Sequence, residues 1–266
     1  MRWLISLALV TLLTPAELSL KLRTRIELYR GSGYWRDAAV EEPVSPGSTA
    51  LILCDLWDHH WCQSAEGRVD VLARKIEPVV ELARSRGILI IHAPSDTMTY
   101  YREAPQHLAI LAIPKVQPPA AKVLADPPLP IDDSDGGCDL AHNKLAVNTR
   151  VWTKENAAIH IAPADLISDD GGEVYSALRS RGIRTLLVAG VHTNMCILNR
   201  PFAIRQMTKW GVHCILIRDL TDAMYNPAKR PFVSHAQGTQ LMIEYIEKYW
   251  APTVTSEELV RALKAN

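Results

Sequence analysis

A single cysteine occupies the position in this chain that is best suited to covalent chemistry. Cys196 follows an apolar run at 185–189 and the turn 190–195, and it precedes a segment with a helical pattern. A helix N-terminus offers free backbone N–H groups and the positive end of the helix dipole, and both favour a thiolate over a thiol. Cys196 is therefore a candidate nucleophile at neutral pH. The alternative is a small apolar residue buried in the core.

Two other polar residues follow predicted strands and are candidates to join Cys196. Asp55 follows an apolar run at 50–54, and Lys154 follows a short predicted strand at 149–152. Because the carboxyl ends of parallel strands meet at one edge of a sheet, the three side chains are expected to converge. A carboxylate can take the proton of a thiol, and an ammonium group favours the charged forms of both. Such a trio suits attack on a carbonyl carbon; taken singly, Asp55 is more typical of a turn and Lys154 of a solvated surface.

Apolar runs and helical patterns alternate along the chain and predict an α/β domain. The predicted strands are 50–54, 88–91, 149–152, 184–191 and 212–217, and the predicted helices are 66–86, 172–181, a segment from about 194, and 234–249. Strands joined through helices give a three-layer α/β/α architecture around a central, mostly parallel sheet. The segment 95–148, rich in Pro, Asp and Gly, is expected to be a long irregular connection of the functional kind.

Composition narrows the possible partners. Lys+Arg and Asp+Glu both number 29, so the formal net charge is zero and no basic excess points to nucleic acid. The N-terminus has Arg2 and then an apolar run at 3–13 that is too short to span a bilayer. We expect residues 1–18 to be an export signal, which places the protein in the periplasm or outside the cell if it is cleaved and in the cytoplasm otherwise. An ordinary N-terminal helix is the alternative.

The five cysteines form an odd set, which leaves at least one thiol unpaired in a monomer. Cys54 and Cys214 stand in apolar runs and are expected in the core. Cys62 and Cys138 are candidates for a disulfide in an oxidising compartment, a pairing that the sequence leaves open.

Four segments resemble the isochorismatase-like cysteine hydrolases, the group that includes nicotinamidases and N-carbamoylsarcosine amidohydrolase. Segment 50–55 resembles the family's first strand with its catalytic aspartate, 150–154 the strand that ends in its lysine, and 185–196 the strand and turn that carry its nucleophile. Segment 211–219 resembles the next strand. The similarity covers about 48–94 and 149–225. It implies that residues 19–266, which follow the expected export signal, form a hydrolase domain of this family.

The resemblance implies a role for each of these residues. Asp55 is the general base, Lys154 assists it electrostatically, and Cys196 attacks, with Lys144 as the alternative lysine. The backbone N–H groups of His192 and Cys196 form an oxyanion hole, and the peptide bond between Val191 and His192 is cis. Family members often assemble as dimers or tetramers, so a homo-oligomer is expected.

The chain departs from the family's pattern at several positions. Many nicotinamidases bind a metal through an Asp-x-His pair and a second histidine, whereas the corresponding stretch here, 92–97, has no such pair. We therefore predict no cofactor and no metal, with adjacent Asp58, His59 and His60 as a less favourable cluster for an ion. Trp57 and His60 stand where relatives often have glutamine and phenylalanine, and together with Asn194 they are predicted to bind substrate. Asn194 is also a candidate helix cap.

These expectations combine into one functional prediction and one alternative. The protein is predicted to be a cysteine hydrolase that cleaves a C–N bond of a small amide or carbamoyl-type substrate through a Cys-linked acyl-enzyme. A nicotinamide substrate does not carry over, because the pocket residues differ. The alternative is a non-catalytic member of the same fold that binds a small molecule.

Overall fold

The computed structural model describes residues 17–265 and places eight strands in one sheet. The expected export signal at 1–18 lies almost wholly outside the described residues. In chain order the strands are β1 (Leu18–Glu27), β2 (Trp35–Val44), β3 (Thr49–Cys54), β4 (Leu89–Ala93), β5 (Leu166–Ile167), β6 (Thr185–Val191), β7 (His213–Asp222) and β8 (Thr253–Val254). Their order in the sheet is β2-β1-β8-β7-β6-β3-β4-β5.

Helices cover both faces of this sheet. They are α1 (Gln63–Ser85), α2 (Met98–Tyr101), α3 (Pro105–Leu111), α4 (Gly171–Ser180), α5 (Cys196–Asn199), α6 (Ile204–Lys209), α7 (His235–Tyr249) and α8 (Ser256–Lys264). The apolar sides of α1 and α8 join one core cluster, and those of α4, α6 and α7 join the cluster on the opposite face. The predicted three-layer α/β/α fold is therefore confirmed. Within residues 17–265, no helix is both long and apolar enough to cross a membrane.

The central strands are parallel and carry the candidate residues at their carboxyl ends. Strand β3 pairs in parallel with β4 on one side and β6 on the other, and all of its residues are buried. Burial on both faces explains why this strand is a continuous apolar run rather than an alternating one. At the end of β6, Gly190 adopts φ +118°, and an added Cβ would lie 2.1 Å from the carbonyl oxygen of Cys54. Only glycine allows β3 and β6 to approach this closely beside the site.

The strand predicted at 149–152 does not form. Residues 112–165 contain no named strand or helix, and β5 pairs with β4 in the place where the third predicted strand was expected. Residues 150–152 instead turn toward the carboxyl edge of the sheet, where they line a cavity. The irregular connection is thus longer than predicted at its C-terminal end, while α2 and α3 give it regular structure at its start.

A disulfide joins this irregular connection to the start of α1. Cys62 and Cys138 are bonded across a sequence separation of 76, whereas Cys54, Cys196 and Cys214 are free. Cys54 and Cys214 are buried, as predicted. The neighbouring contacts reinforce the link, because Arg68 on α1 forms an ion pair with Asp139 at 2.9 Å. The disulfide therefore secures the segment that covers the carboxyl edge of the sheet.

Removing this disulfide should destabilise the fold. We expect the double variant Cys62→Ser, Cys138→Ser to lose about 2–4 kcal/mol in the free energy of unfolding, because the cross-link restricts the unfolded chain. Urea unfolding of the oxidised wild type and of the double variant measures this difference. A thiol reductant should lower the stability of the wild type and leave that of the double variant unchanged. Equal stability of the two proteins would contradict the prediction.

Candidate active site

Asp55 and Cys196 meet at the carboxyl edge of the sheet. Asp55 directly follows β3, is completely buried and adopts φ +50°, a left-handed conformation that aspartate tolerates at a strand end. Cys196 is the first residue of α5, which follows β6. The thiol of Cys196 lies beside the carboxyl group of Asp55, and each group shifts the pKa of the other. The predicted convergence of these two residues is thus present in the structure.

The environment of Cys196 favours a thiol rather than the expected thiolate. Burial and the neighbouring Asp55 raise the pKa of Cys196 well above its ordinary value. The expected help from a helix N-terminus is small, since α5 is a single turn of four residues. An uncharged thiol has to lose its proton to become a strong nucleophile, so a base must act in the same step. Asp55 is the carboxyl group beside that thiol.

Asp55 is held by donors that leave its carboxylate facing the sulfur. The backbone N–H of Ser95 donates to Asp55 Oδ1 at 2.7 Å, and Arg200 Nε donates to Oδ2 at 3.0 Å. Burial raises the pKa of Asp55 above its ordinary value, and Arg200, the thiol and Ser95 reverse part of this rise. The guanidinium group therefore offsets part of the cost of a buried negative charge, which keeps the carboxylate available as a base.

The cation at this carboxylate is Arg200, and Lys154 lies elsewhere. The Nζ atom of Lys154 lies 5.5 Å from the centre of the Tyr100 ring, and its backbone pairs with Asp58. Lys144, the alternative lysine, is exposed in the irregular connection. Arg200 forms an ion pair with Asp55 and lowers the pKa of both Asp55 and Cys196, whereas neither lysine forms an ion pair with Asp55 within residues 17–265. The structure therefore does not bring Lys154 to the pair, because the strand expected to carry it does not form.

Sequence spacing could have indicated Arg200. It follows Cys196 by four positions, and its backbone N–H donates to the carbonyl of Cys196 at 3.0 Å, which closes the turn of α5. Residues four apart in a helical turn lie on the same face. Arg200 therefore lies on the same side of α5 as Cys196, and it reaches the carboxylate of Asp55.

The peptide bond between Val191 and His192 is cis, as the resemblance implies. The backbone N–H of His192 lies near the sulfur of Cys196 and lowers the pKa of its thiol. Among residues 17–265, no oxygen or nitrogen acceptor contacts the backbone N–H of Cys196. The backbone N–H groups of His192 and Cys196, predicted to form an oxyanion hole, thus both lie near the sulfur.

Cys196 opens into a cavity of about 400 Å³ with an aromatic wall. We define the aromatic wall as Trp57, His60, Trp61 and Trp152. The rings of Trp57 and Trp152 stack with centroids 4.5 Å apart at 18°, and the ring of His60 lies roughly parallel to both. Trp57 and His60, predicted to bind substrate, thus both line this cavity, and the Nε1 of Trp57 donates to Ser95 O at 3.0 Å.

Two histidines in the cavity are uncharged. Burial lowers the pKa of His60 to about 4, and burial together with His60 lowers that of His192 to about 3. His60 Nδ1 accepts the backbone N–H of Cys62 at 3.0 Å, so the neutral ring carries its hydrogen on Nε2. The two ring centroids are 5.0 Å apart. His192 therefore places its ring in the cavity wall as well as its N–H at the sulfur.

The side chain of Asn194 mainly joins the turn before Cys196 to Met224 and Asp133. Its Oδ1 accepts the backbone N–H of Met224 at 2.8 Å, and its Nδ2 donates to Met224 O and to Asp133 Oδ2. It does not cap α5, whose N-cap residue is Met195, with no side-chain cap. The predicted cap is therefore wrong. Asn194 lines a second opening beside Cys196, but its polar atoms already have protein partners.

A buried ion-pair network lies next to the segment that carries Trp57. His92 Nδ1 is 2.7 Å from Glu155 Oε2, and His92 Nε2 is 3.1 Å from Asp165 Oδ2. Burial lowers the pKa of His92, but Glu155 and Asp165 together raise it to about 9. The backbone of Glu155 bridges that of Trp57. A charged His92 thus connects strand β4 to the segment that carries the aromatic wall.

This network predicts a loss of stability at alkaline pH. The folded-state pKa of His92 is raised above its unfolded value, so its contribution is complete below about pH 6.5 and is lost as pH rises through about 9. We expect the free energy of unfolding to fall across this window in the wild type and to fall less in His92→Gln. Urea unfolding at several pH values measures both slopes. The exposed His142→Gln variant should behave as the wild type, and an unchanged slope in His92→Gln would contradict the prediction.

The residues weighed for a metal do not converge. The carboxylate of Asp58 accepts hydrogen bonds from Thr153 at 2.8 and 2.6 Å, and His59 points to Glu66 with its side chain 59% exposed. Within residues 17–265, one group of three potential ligands lies close enough to share an ion, namely Cys62, Cys138 and Asp139. Its two sulfurs form the disulfide and are unavailable as thiolates. The donor set thus does not fit a metal site.

Comparison with known proteins agrees with the fold. The sequence model of the Isochorismatase domain matches residues 49–258, and the chain belongs to this family. Membership indicates a hydrolase of the isochorismatase and cysteine hydrolase kind. No curated protein matches the chain.

Solved structures of the same fold are distant in sequence. A cysteine hydrolase from Pseudomonas syringae pv. phaseolicola 1448A is 18% identical, covers 85% of this chain and 97% of its own, and has a TM-score of 0.53. An isochorismatase-like hydrolase from Alkaliphilus metalliredigens is 13% identical over 82% of this chain and 97% of its own, with a TM-score of 0.48. At these identities the likeness concerns the fold alone.

Proposed function

We propose that the protein is a cysteine hydrolase that cleaves a C–N bond of a small amide or carbamoyl-type substrate. The observation that carries this proposal is the position of the Cys196 thiol beside the buried Asp55 carboxylate at the wall of a cavity. A thiol whose pKa is raised, placed against a base and two backbone donors, suits attack on a carbonyl carbon. The chemistry requires only side chains and water.

The first half-reaction forms an acyl-enzyme. As the sulfur of Cys196 attacks the carbonyl carbon, Asp55 takes the thiol proton and a C–S bond forms. The N–H groups of His192 and Cys196 receive the negative charge that develops on the carbonyl oxygen. The C–N bond then breaks, and Asp55 returns the proton to the departing nitrogen, which leaves as ammonia or an amine.

The second half-reaction releases the acid. Water enters the cavity and attacks the thioester carbon while Asp55 takes one of its protons. The C–S bond breaks, the acid leaves, and the sulfur regains the proton from Asp55, which restores the starting state. Arg200 remains charged throughout and stabilises Asp55 as a carboxylate, the role that the resemblance gives to a lysine.

A screen of small amides with detection of the acyl-enzyme tests this proposal. We expect release of ammonia or amine from some of these amides, and a rapid quench should trap a mass increase equal to the acyl group on the peptide that contains Cys196. Substrate binding without turnover would instead support the alternative of a non-catalytic binding protein. Turnover with no adduct on Cys196 would exclude the acyl-enzyme.

We further propose that the chain is exported. The disulfide between Cys62 and Cys138 supports this location, because such bonds persist in oxidising compartments and are rare in the cytosol. Fractionation of cells that express the full chain, with N-terminal sequencing of the recovered protein, tests the proposal. Recovery from the cytoplasm with residues 1–18 intact would contradict it.

A further inference from the structure

Several hydrogen-bond donors line the cavity beside Cys196. Two arginines, Arg150 and Arg200, stand at its rim together with Asp96. The Asp96 carboxylate is already engaged by Arg200 Nη2 at 3.2 Å, so it offers little to a cationic ligand. Arg150 contacts the backbone oxygen of Asp96 through Nη2. Within the described part of the chain, Arg150 Nε and Nη1 have no acceptor.

Further nitrogen atoms in the cavity wall lack partners. The indole Nε1 of Trp152 and the ring Nε2 of His192 are buried, and neither has a hydrogen-bond partner in residues 17–265. His192 itself is 2% exposed. His60 Nε2, which carries the ring hydrogen, likewise has no acceptor among the described residues. Buried polar atoms without partners are costly, and the donors Trp152 Nε1 and His60 Nε2 favour a ligand with oxygen acceptors.

The aromatic wall favours a ligand that contains a flat, apolar group. The stacked indoles of Trp57 and Trp152, with the ring of His60 nearly parallel to them, present apolar surface beside the donors. Flat conjugated groups pack on such rings with favourable offset or edge contacts. The exposed position of Arg150 places its charge at the open end of this surface.

We propose that the substrate is an amide of a flat, conjugated acid that also carries a carboxylate, and that Arg150 binds this carboxylate. The inference rests on the proposed function for the amide. It assigns to Arg150 a role in specificity: its free guanidinium N–H groups pair with the carboxylate oxygens, while the conjugated group lies along the aromatic wall. A guanidinium group suits this task because its N–H groups match a carboxylate in geometry as well as charge.

A matched pair of amides tests the carboxylate requirement. The probes are 4-carbamoylbenzoate and terephthalamide, which share the ring and the scissile amide and differ by a carboxylate in place of a second, neutral amide. We expect kcat/KM per amide group to be about 10- to 100-fold higher for 4-carbamoylbenzoate. Equal values, or a preference for terephthalamide, would overturn the proposal.

The variant Arg150→Gln locates the effect. We expect it to raise KM for 4-carbamoylbenzoate about 10- to 100-fold, to leave kcat nearly unchanged, and to leave terephthalamide unaffected. Arg102→Gln, which removes an exposed arginine outside the cavity, is the matched control and should change neither substrate. An equal loss for both amides in Arg150→Gln would indicate a structural role and contradict the inference.

A second measurement does not depend on amide turnover. Iodoacetate and iodoacetamide both alkylate thiols and differ only by the carboxylate, so the ratio of their rates at Cys196, normalised to free glutathione, reports on anion binding beside the sulfur. We expect the wild type to raise this ratio about tenfold and Arg150→Gln to return it toward one. Peptide mass spectrometry measures the adduct on Cys196. If both reagents react too slowly, quenching of indole fluorescence by benzoate against benzamide gives the same comparison.

The outcomes separate the two proposals. A raised iodoacetate ratio without any amide turnover would leave the carboxylate site standing and contradict the hydrolase. Turnover of both amides without preference, together with an unraised ratio, would leave the hydrolase standing and overturn the carboxylate site.

Discussion

Replacement of Cys196 by alanine is expected to lower the rate of amide hydrolysis by a factor of about 10⁴ or more. The sulfur forms the bond that divides one difficult step into two, and alanine offers no atom that can replace it. The remaining backbone donors retain only the stabilisation of the oxyanion. Single-turnover kinetics on the best amide of the screen, with purified wild type and variant at equal concentration, measure the loss.

Two controls make this result specific. Cys214→Ala removes another buried free thiol that lies in β7 and outside the cavity, and it should retain wild-type turnover. Cys196→Ala should unfold at nearly the same urea concentration as the wild type, since it removes a single sulfur atom from a residue that is only partly buried. Turnover that survives in Cys196→Ala would contradict the covalent mechanism.

Arg200→Gln is expected to impair both catalysis and stability. It leaves the Asp55 carboxylate buried without its cation, which should cost roughly 2–3 kcal/mol, below the range for a fully buried pair because Arg200 retains some exposure. The pKa of Asp55 should rise further, since burial remains while the cation that lowers it is gone. We expect kcat to fall about 100-fold at neutral pH.

The pH dependence of this variant identifies its cause. Asp55 acts as a base only when ionised, so a higher pKa moves the acidic limb of the rate profile to higher pH, and activity should recover partly at alkaline pH. Arg200→Lys, which keeps the charge, should restore much of kcat. Lys154→Gln is the matched control and should change kcat less than about threefold. A large loss in Lys154→Gln with an active Arg200→Gln would restore the lysine as the catalytic cation.

The centre of the sheet was predictable because its signals are local. The run at 50–54 and the strand before Cys196 are continuous apolar segments, and burial on both faces produces that pattern directly. Because the carboxyl ends of parallel strands meet at one edge of a sheet, Asp55 and Cys196 can then be predicted to lie together without knowledge of any contact. The hairpin of β1 and β2 was not predicted, although alternation of buried Leu18, Leu20 and Leu22 with exposed neighbours is a strand signal.

The cation at the site was missed for a different reason. Lys154 was placed by assuming a strand at 149–152, but a short β-branched and aromatic run does not distinguish a strand from a loop that packs on other side chains. In the structure Trp152 stacks on Trp57, and that contact between residues 95 positions apart is invisible in local sequence. The disulfide was left open for the same reason, since pairing depends on the distance between two residues in the fold.

The sheet and the irregular connection contribute different residues to the cavity, and this separation has an evolutionary consequence. In the proposed mechanism, bond cleavage depends on Asp55 and Cys196 at the ends of β3 and β6. Arg150 and Trp152 come instead from a segment without regular structure that a disulfide holds in place. Substitutions in that segment disturb no ladder of the central sheet. Substitutions there can therefore change which substrates bind while the residues proposed for catalysis stay the same. Exchange of segment 139–152 between family members is a direct way to alter substrate selectivity.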